Sequence, residues 1–216
     1  MKHNLTIGIL GLQGDVEENR IATFNALLTK HDINGNIIHV RYPEQIKNID
    51  GLILPGGEST VISILASING NFLQIIKKRI DEGIPVLGTC AGMIMLSKKA
   101  YDKRIGETKQ QLISSLDIVI ERNAFGRQAD SFEIDLDITL SKGEEKIKSF
   151  RSIFIRAPIV IEIGDKVEPI AKFNDKIVAV KQENIIGTAF HPELSNDTRI
   201  HELLIDEIIK FKNQHR

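Results

Sequence analysis

The 216-residue sequence has one cysteine, no tryptophan and two tyrosines. A single thiol, Cys90, excludes any disulfide within the chain. A disulfide-stapled secreted scaffold is therefore ruled out, and a reducing cytoplasm is the expected setting. Aromatic residues make up 5%, too few for the stacking platforms that bind single-stranded nucleic acid. Lys and Arg total 28 against 29 Asp and Glu, a formal net charge of -1. That balance offers no cationic field for nucleic acid or an anionic membrane. No apolar run approaches the roughly 20 residues that a membrane span needs. Met1-Lys2-His3-Asn4 leads straight into a strand-like run, without the pattern of a signal peptide. What is present is ordinary globular material: 42% hydrophobic and 26% charged, enough apolar surface to offset chain entropy.

The first half alternates strand and helix signals. Short apolar runs at Leu5–Leu10, Ile37–Val40, Gly51–Leu54 and Pro85–Gly88 read as buried strands. Between them, Ile21, Phe24, Leu27 and Leu28 recur at helical spacing. Ile64–Ile80 reads as helical with a break near Asn69-Gly70-Asn71, and Ala91–Lys99 as a further helix. Strands separated by helices imply right-handed crossovers and a mostly parallel sheet. The second half changes character. Phe132, Ile134, Leu136, Ile138 and Leu140 alternate with polar residues, the pattern of a half-buried antiparallel strand. Strand signals follow at Phe154-Ile155, Ile159–Ile163, Val167–Ala171, Ile177–Val180 and Ile185–Phe190. Lys142–Lys148 reads as a solvated turn. A closing helix places Ile200, Leu203, Leu204 and Ile208 on one face, after a cap at Asn196-Asp197. No repeat or linker divides the chain. The expectation is one α/β domain over residues 1–216, a mostly parallel sheet flanked by helices, with an antiparallel extension.

Gly88-Thr89-Cys90-Ala91-Gly92 is the sharpest local signal. A strand enters it and a helix leaves it, as in a nucleophile elbow carrying Cys in place of Ser. A helix N-terminus beneath a sulfur favours thiolate, and the Ala91 N–H is a natural oxyanion donor. Taken alone, a lone Cys is more often inert and buried; the elbow spacing shifts the balance. A thiol nucleophile needs a base. Among six histidines, His191 follows a buried strand and lies on the sheet edge expected for Cys90. Glu193, two residues on, can orient its ring, so Cys90, His191 and Glu193 form a candidate triad. Pro55-Gly56-Gly57-Glu58-Ser59 ends the third strand. It suits either a second oxyanion donor or a plain strand–helix turn capped by Ser59. Arg122, Arg127 and Arg156 lie near turns, where each can grip a carboxylate or simply face solvent. Gly8, Gly11 and Gly14 miss the dinucleotide spacing, no Walker motif occurs, and no Cys/His set has zinc spacing, so no cofactor and no metal are expected.

Taken in order, PGGES, GTCAG and HPE resemble the class I triad glutamine amidotransferases. Gly11-Leu12-Gln13-Gly14-Asp15, Arg122-Asn123-Ala124-Phe125-Gly126-Arg127-Gln128, Asp130-Ser131-Phe132-Glu133, Phe154-Ile155-Arg156-Ala157-Pro158 and His191-Pro192-Glu193-Leu194 narrow the resemblance to the glutaminase subunits of pyridoxal 5′-phosphate synthase. The match spans nearly the whole chain. It implies a flavodoxin-like three-layer fold and hydrolysis of L-glutamine to glutamate and ammonia. It also implies a separate synthase subunit in a large hetero-oligomer, which uses that ammonia to build the vitamin B6 cofactor from a pentose and a triose phosphate. It assigns Cys90 as nucleophile, His191 as acid/base and Glu193 as its orienter. Gly57 and Ala91 would hold the oxyanion, and Gly57, Glu58, Ser59, Arg122, Ile155 and Arg156 would line the glutamine site. Gln13 would lie near the partner. The sequence departs from the family at Asn19, where His is usual, and its extra length falls near Lys30–Asn36 or Lys142–Lys148. Two other readings fit the same residues: another class I glutaminase or cysteine hydrolase, and a non-catalytic regulatory module. An intact Cys90, His191 and Glu193 argue against the second.

Overall fold

A computed structural model describes residues 3–30, 32–68, 70–125, 131–139 and 146–214. His31, Asn69, Gly126, Arg127, Gln128, Asp130, Leu140 and His215, together with 141–145, lie outside them. In chain order the first elements are β1 (His3–Leu10), α1 (Val16–Leu28), β2 (Ile33–Val40) and β3 (Gly51–Leu54). Next come α2 (Ser59–Ile68), α3 (Phe72–Asp81), β4 (Val86–Thr89), α4 (Ala91–Leu96), β5 (Ser97–Asp102), β6 (Gly106–Glu107) and β7 (Leu116–Arg122). The remainder is β8 (Ser131–Thr139), β9 (Lys146–Ile155), β10 (Ile159–Ile163), β11 (Glu168–Phe173), β12 (Lys176–Gln182), β13 (Ile185–Thr188) and α5 (Arg199–Gln214). Tight 3-10 turns cover Pro43–Asn48 and Pro192–Leu194.

The expected α/β architecture is present. β2, β1, β3, β4 and β13 lie side by side, all parallel. Beyond β13 the sheet continues through β12, β10, β7, β5 and β6, mostly antiparallel, with β11 beside β12. The parallel strands are covered on both faces, so Ile7, Ile9, Leu52, Ile53, Val86 and Leu87 are fully buried, as continuous apolar runs require. From β1 the chain moves outward to β2; from β3 it moves the opposite way to β4. Right-handed crossovers put α1 and α2–α3 on opposite faces. That reversal opens a crevice at the carboxyl ends of β1 and β3, where ligands of such sheets bind.

β8 and β9 form a separate antiparallel ribbon with the expected alternation. Glu133 and Asp135 face solvent and pair with Arg151, while Phe132 stacks on Phe154 at 4.6 Å. Phe154 also meets Phe190 edge-on at 5.7 Å, which packs the ribbon against the end of β13. The main-chain N–H of His191 donates to Ile153 O at 2.8 Å. The ribbon thus delivers Ile155 to the site.

Several local expectations are corrected. α4 ends at Leu96, not Lys99. Its six residues are buried on every side, and Ser97 turns extended to pair in parallel with β7. The Ser97 hydroxyl donates back to Ile94 O at 2.8 Å and closes the helix. Lys146–Lys148 begins β9 rather than a turn. In α1 only Leu27 of the four apolar positions is buried; Ile21, Phe24 and Leu28 are exposed. The inner face of α1 is Asn19, Ala22, Thr23 and Ala26. β7, where Leu116, Ile118 and Ile120 alternate inward, was not anticipated, nor were β5 and β6. The start of α5 fits the expected cap: Asp197 Oδ1 accepts the Arg199 N–H at 3.1 Å.

Asn19 is wholly buried. Its Oδ1 lies 3.3 Å from His201 Nε2, joining α1 to α5. His201 is fully buried and Nδ1 finds no partner, so burial pushes its pKa from 6.5 down to about 4. Between these values the unfolded chain binds a proton that the folded chain refuses, so stability falls as pH drops from about 6.5 to 4. The expected loss is about 2–3 kcal/mol. Urea denaturation of wild type and His201→Gln across that range checks it: the extra slope should vanish in the variant.

Candidate active site

Cys90 sits between β4 and α4, at φ 46° and ψ -101°. A side-chain-bearing residue in that region carries strain of about 1–3 kcal/mol, the kind stored at an elbow. The Cys90 N–H donates to Thr188 O at 2.7 Å, which fixes the elbow against the end of β13. β13 is parallel to β4 and in register with it, so the residues after both strands emerge at one edge. His191 therefore arrives beside Cys90, as the strand reading anticipated.

The imidazole is buried and densely held. His191 Nδ1 lies 2.8 Å from Glu193 Oε1 and 3.1 Å from Asp15 Oδ2. With Nδ1 so engaged, Nε2 is the ring nitrogen left free, and the ring shares its cavity with the Cys90 thiol. Burial opposes charging His191, but Asp15, Cys90 and Glu193 outweigh it and raise its pKa above the ordinary 6.5. The Glu193 side chain is fully enclosed. Its Oε1 also accepts from Thr89 at 3.4 Å, while Oε2 has no partner. Cys90 Sγ lies 4.0 Å from Ile155 O.

A cavity of about 260 Å³ opens over these groups. Gly57, Glu58, Ser59, Cys90, Arg122, Ile155, Arg156 and His191, all named from the sequence as site residues, line it, and so does Gln13, which was expected near the partner. Ala91 and Glu193 stand behind the wall. Asp15, Ile94 and Asn123 line it too, and none was singled out as a site residue. Asp15 did fall within a quoted motif, but no local pattern marks a carboxylate 176 positions from the histidine it meets.

The Gly56-Gly57 turn is resolved in detail. Gly57 has φ 145°, and a Cβ there would lie 2.5 Å from Gln13 Oε1, so only glycine fits. Gln13 Oε1 accepts the Glu58 N–H at 2.8 Å. Ser59 is not the cap of α2: the Glu58 carboxylate takes the N–H groups of Thr60 and Val61 at 3.3 and 3.0 Å. Ser59 Oγ instead reaches Gln110 at 3.3 Å. Arg122 is anchored rather than solvated, with Nη2 on Glu58 at 2.9 Å and Nη1 on Thr60 and Gln110 at 2.9 and 3.1 Å. Arg156 adopts a left-handed φ of 45° at the rim.

Among the described residues, Asp15, His191 and Glu193 are the one group with three ligand-type atoms within 4.8 Å. Glu193 already hydrogen-bonds the ring nitrogen that Asp15 approaches within ion-pair distance. The cluster is better read as a hydrogen-bonded set than as a metal cage.

A strained cysteine, a carboxylate-held imidazole and a glycine turn thus meet around one cavity. The family model of the SNO glutamine amidotransferases matches residues 9–210. The chain belongs to that family. Among relatives of this glutamine amidotransferase, "Pyridoxal 5'-phosphate synthase subunit PdxT" of Nitrosopumilus maritimus is 43% identical over 206 residues, covering 95% of this chain and 98% of that one. The subunit of the same name from Pyrococcus furiosus is 47% identical over 205 residues, covering 94% and 98%. A solved structure titled "Crystal structure of glutamine amidotransferase" superposes with a TM-score of 0.78 at 36% identity, covering 94% of this chain and 98% of that one. A second, a Thermotoga maritima glutamine amidotransferase, has a TM-score of 0.57 at 14% identity and supports the fold alone.

Proposed function

We propose that this glutamine amidotransferase hydrolyses L-glutamine through Cys90, His191 and Glu193, and passes ammonia to a separate synthase subunit making pyridoxal 5′-phosphate. The observation that carries the reading is His191, held by Glu193 at 2.8 Å and lining the same cavity as the Cys90 thiol. The role in pyridoxal 5′-phosphate synthesis follows the relatives' shared name and near-full-length match.

The chemistry runs in two halves. Cys90 gives its proton to His191, and the thiolate attacks the side-chain amide carbon of glutamine. The tetrahedral oxyanion takes hydrogen bonds from the backbone N–H groups of Gly57 and Ala91. His191 returns the proton to the leaving nitrogen, the C–N bond breaks and ammonia departs, leaving a glutamyl thioester. Water then attacks the thioester, His191 accepts its proton, and glutamate leaves as the thiol reforms. Glu193 keeps the ring in the tautomer this requires. Glu58, Ser59, Arg122, Ile155 and Arg156 shape the glutamine pocket, Arg122 being pre-set by Glu58.

A partner is supported by the exposed stripe of Ile21, Phe24 and Leu28 on α1, spaced to share one helix face. The Gly56-Gly57 peptide is the gate in this reading: Gly56 O is held by the Asp15 N–H at 3.1 Å. If docking of the synthase sets the oxyanion donors, the isolated chain lacks one of them. Losing one costs roughly a hundred- to a thousandfold in kcat. Ammonia release from the chain with and without its synthase subunit is the test. Strong stimulation is expected; equal rates contradict the gate, and no release in either case contradicts the assignment.

A further inference from the structure

Asp15 stands outside the triad just described, yet its Oδ2 lies 3.1 Å from the same His191 Nδ1 that Glu193 binds. Its main chain is held on both sides. Its N–H donates to Gly56 O at 3.1 Å, and its C=O accepts from both the main chain and the side-chain amide of Asn19, at 3.1 and 2.9 Å. Asn19 is in turn bonded to His201 of α5. The carboxylate is a third exposed, on the cavity wall, where Glu193 is sealed. We propose that Asp15 is a second positioning carboxylate for the catalytic imidazole, set within ion-pair distance of Nδ1 beside Glu193 and holding the charged ring from the substrate side. The inference rests on His191 serving as the acid/base.

Two carboxylates on one nitrogen do what one cannot. A single acceptor at Nδ1 leaves the ring free to tilt about that bond. A second carboxylate, from a different element, draws the charged ring to one side and so restrains the line from Nε2 to Cys90. It also adds a second negative charge to hold the proton that His191 must deliver to the leaving nitrogen. The titratable groups facing the ring are Asp15 from the start of α1, Cys90 from the elbow, and Glu193 from the 192–194 turn. Removing the Asp15 charge therefore releases that proton at lower pH.

Steady-state glutaminase kinetics of Asp15→Asn, with the synthase subunit present, test this. The expected kcat is about ten- to a hundredfold lower, the worth of a charged hydrogen bond. KM for glutamine should change little, and the alkaline limb of the kcat/KM profile should move to lower pH. Asp15→Glu, which keeps the charge, should restore the limb toward its wild-type position. A wild-type kcat and limb in Asp15→Asn, or a loss carried by KM alone, would overturn the proposal. His191→Asn separates the two layers: if it retains turnover, the acid/base assignment itself fails, whatever Asp15 does.

Discussion

Replacing Cys90 with Ala is expected to lower kcat for glutamine hydrolysis by about 10⁴–10⁶-fold, the scale of losing a covalent nucleophile. The fold should survive. Alanine is smaller than cysteine and meets the same backbone strain, and the main-chain bond from position 90 to Thr188 O is untouched. Folding and activity therefore separate cleanly: the thermal midpoint should stay near the wild-type value while ammonia release disappears. A variant that still turns over at a tenth of the wild-type rate would mean that the attacking group lies elsewhere.

Gly56→Ala is expected to lower kcat by roughly a hundredfold, through geometry alone. A Cβ at position 56 would lie 2.4 Å from His191 Cε1, 2.8 Å from Nδ1 and 2.6 Å from Asp15 Oδ2. Those separations are too short to exist, so the ring or the loop must shift. The ring cannot yield cheaply, because Glu193 and Asp15 pin Nδ1 and the side chain is buried. A displacement of the imbedded imidazole or the Gly56-Gly57 turn breaks the line from base to thiol or misplaces the oxyanion donor. Steady-state kinetics on the folded variant check this. Unchanged kcat would show that the loop opens without cost and that the ring's packing has no bearing on turnover.

The parts of the site that were legible in the sequence are those written in consecutive residues. The elbow announces itself because a short apolar strand, two glycines and a helical run fall within a dozen positions around Cys90. His191 and Glu193 follow the same logic, since a buried strand must end at a predictable edge. The parallel strands were readable because both of their faces are covered, which leaves unbroken apolar runs. What escaped depends on distant segments meeting. Asp15 reaches His191 only because β1 and β3 flank the reversal of the sheet. The apolar spacing of Ile21, Phe24 and Leu28 marks a helix truly but points it the wrong way, since small and polar residues line the inner side of α1. The helical pattern after Ala91 yields at Ser97 because pairing with β7 outweighs local propensity there. Arg122 looked like any turn arginine; only the fold shows its grip on Glu58 and Thr60.

The central claim is that one sulfur carries the glutamyl group. Its most direct measurement is the mass of the peptide containing Cys90 after acid quenching during glutamine turnover, in complex with the synthase subunit. A glutamyl adduct is expected on that peptide, lost on treatment with hydroxylamine and absent from Cys90→Ala. An unmodified Cys90 peptide under conditions where the thioester accumulates, or an adduct on another residue, would contradict it.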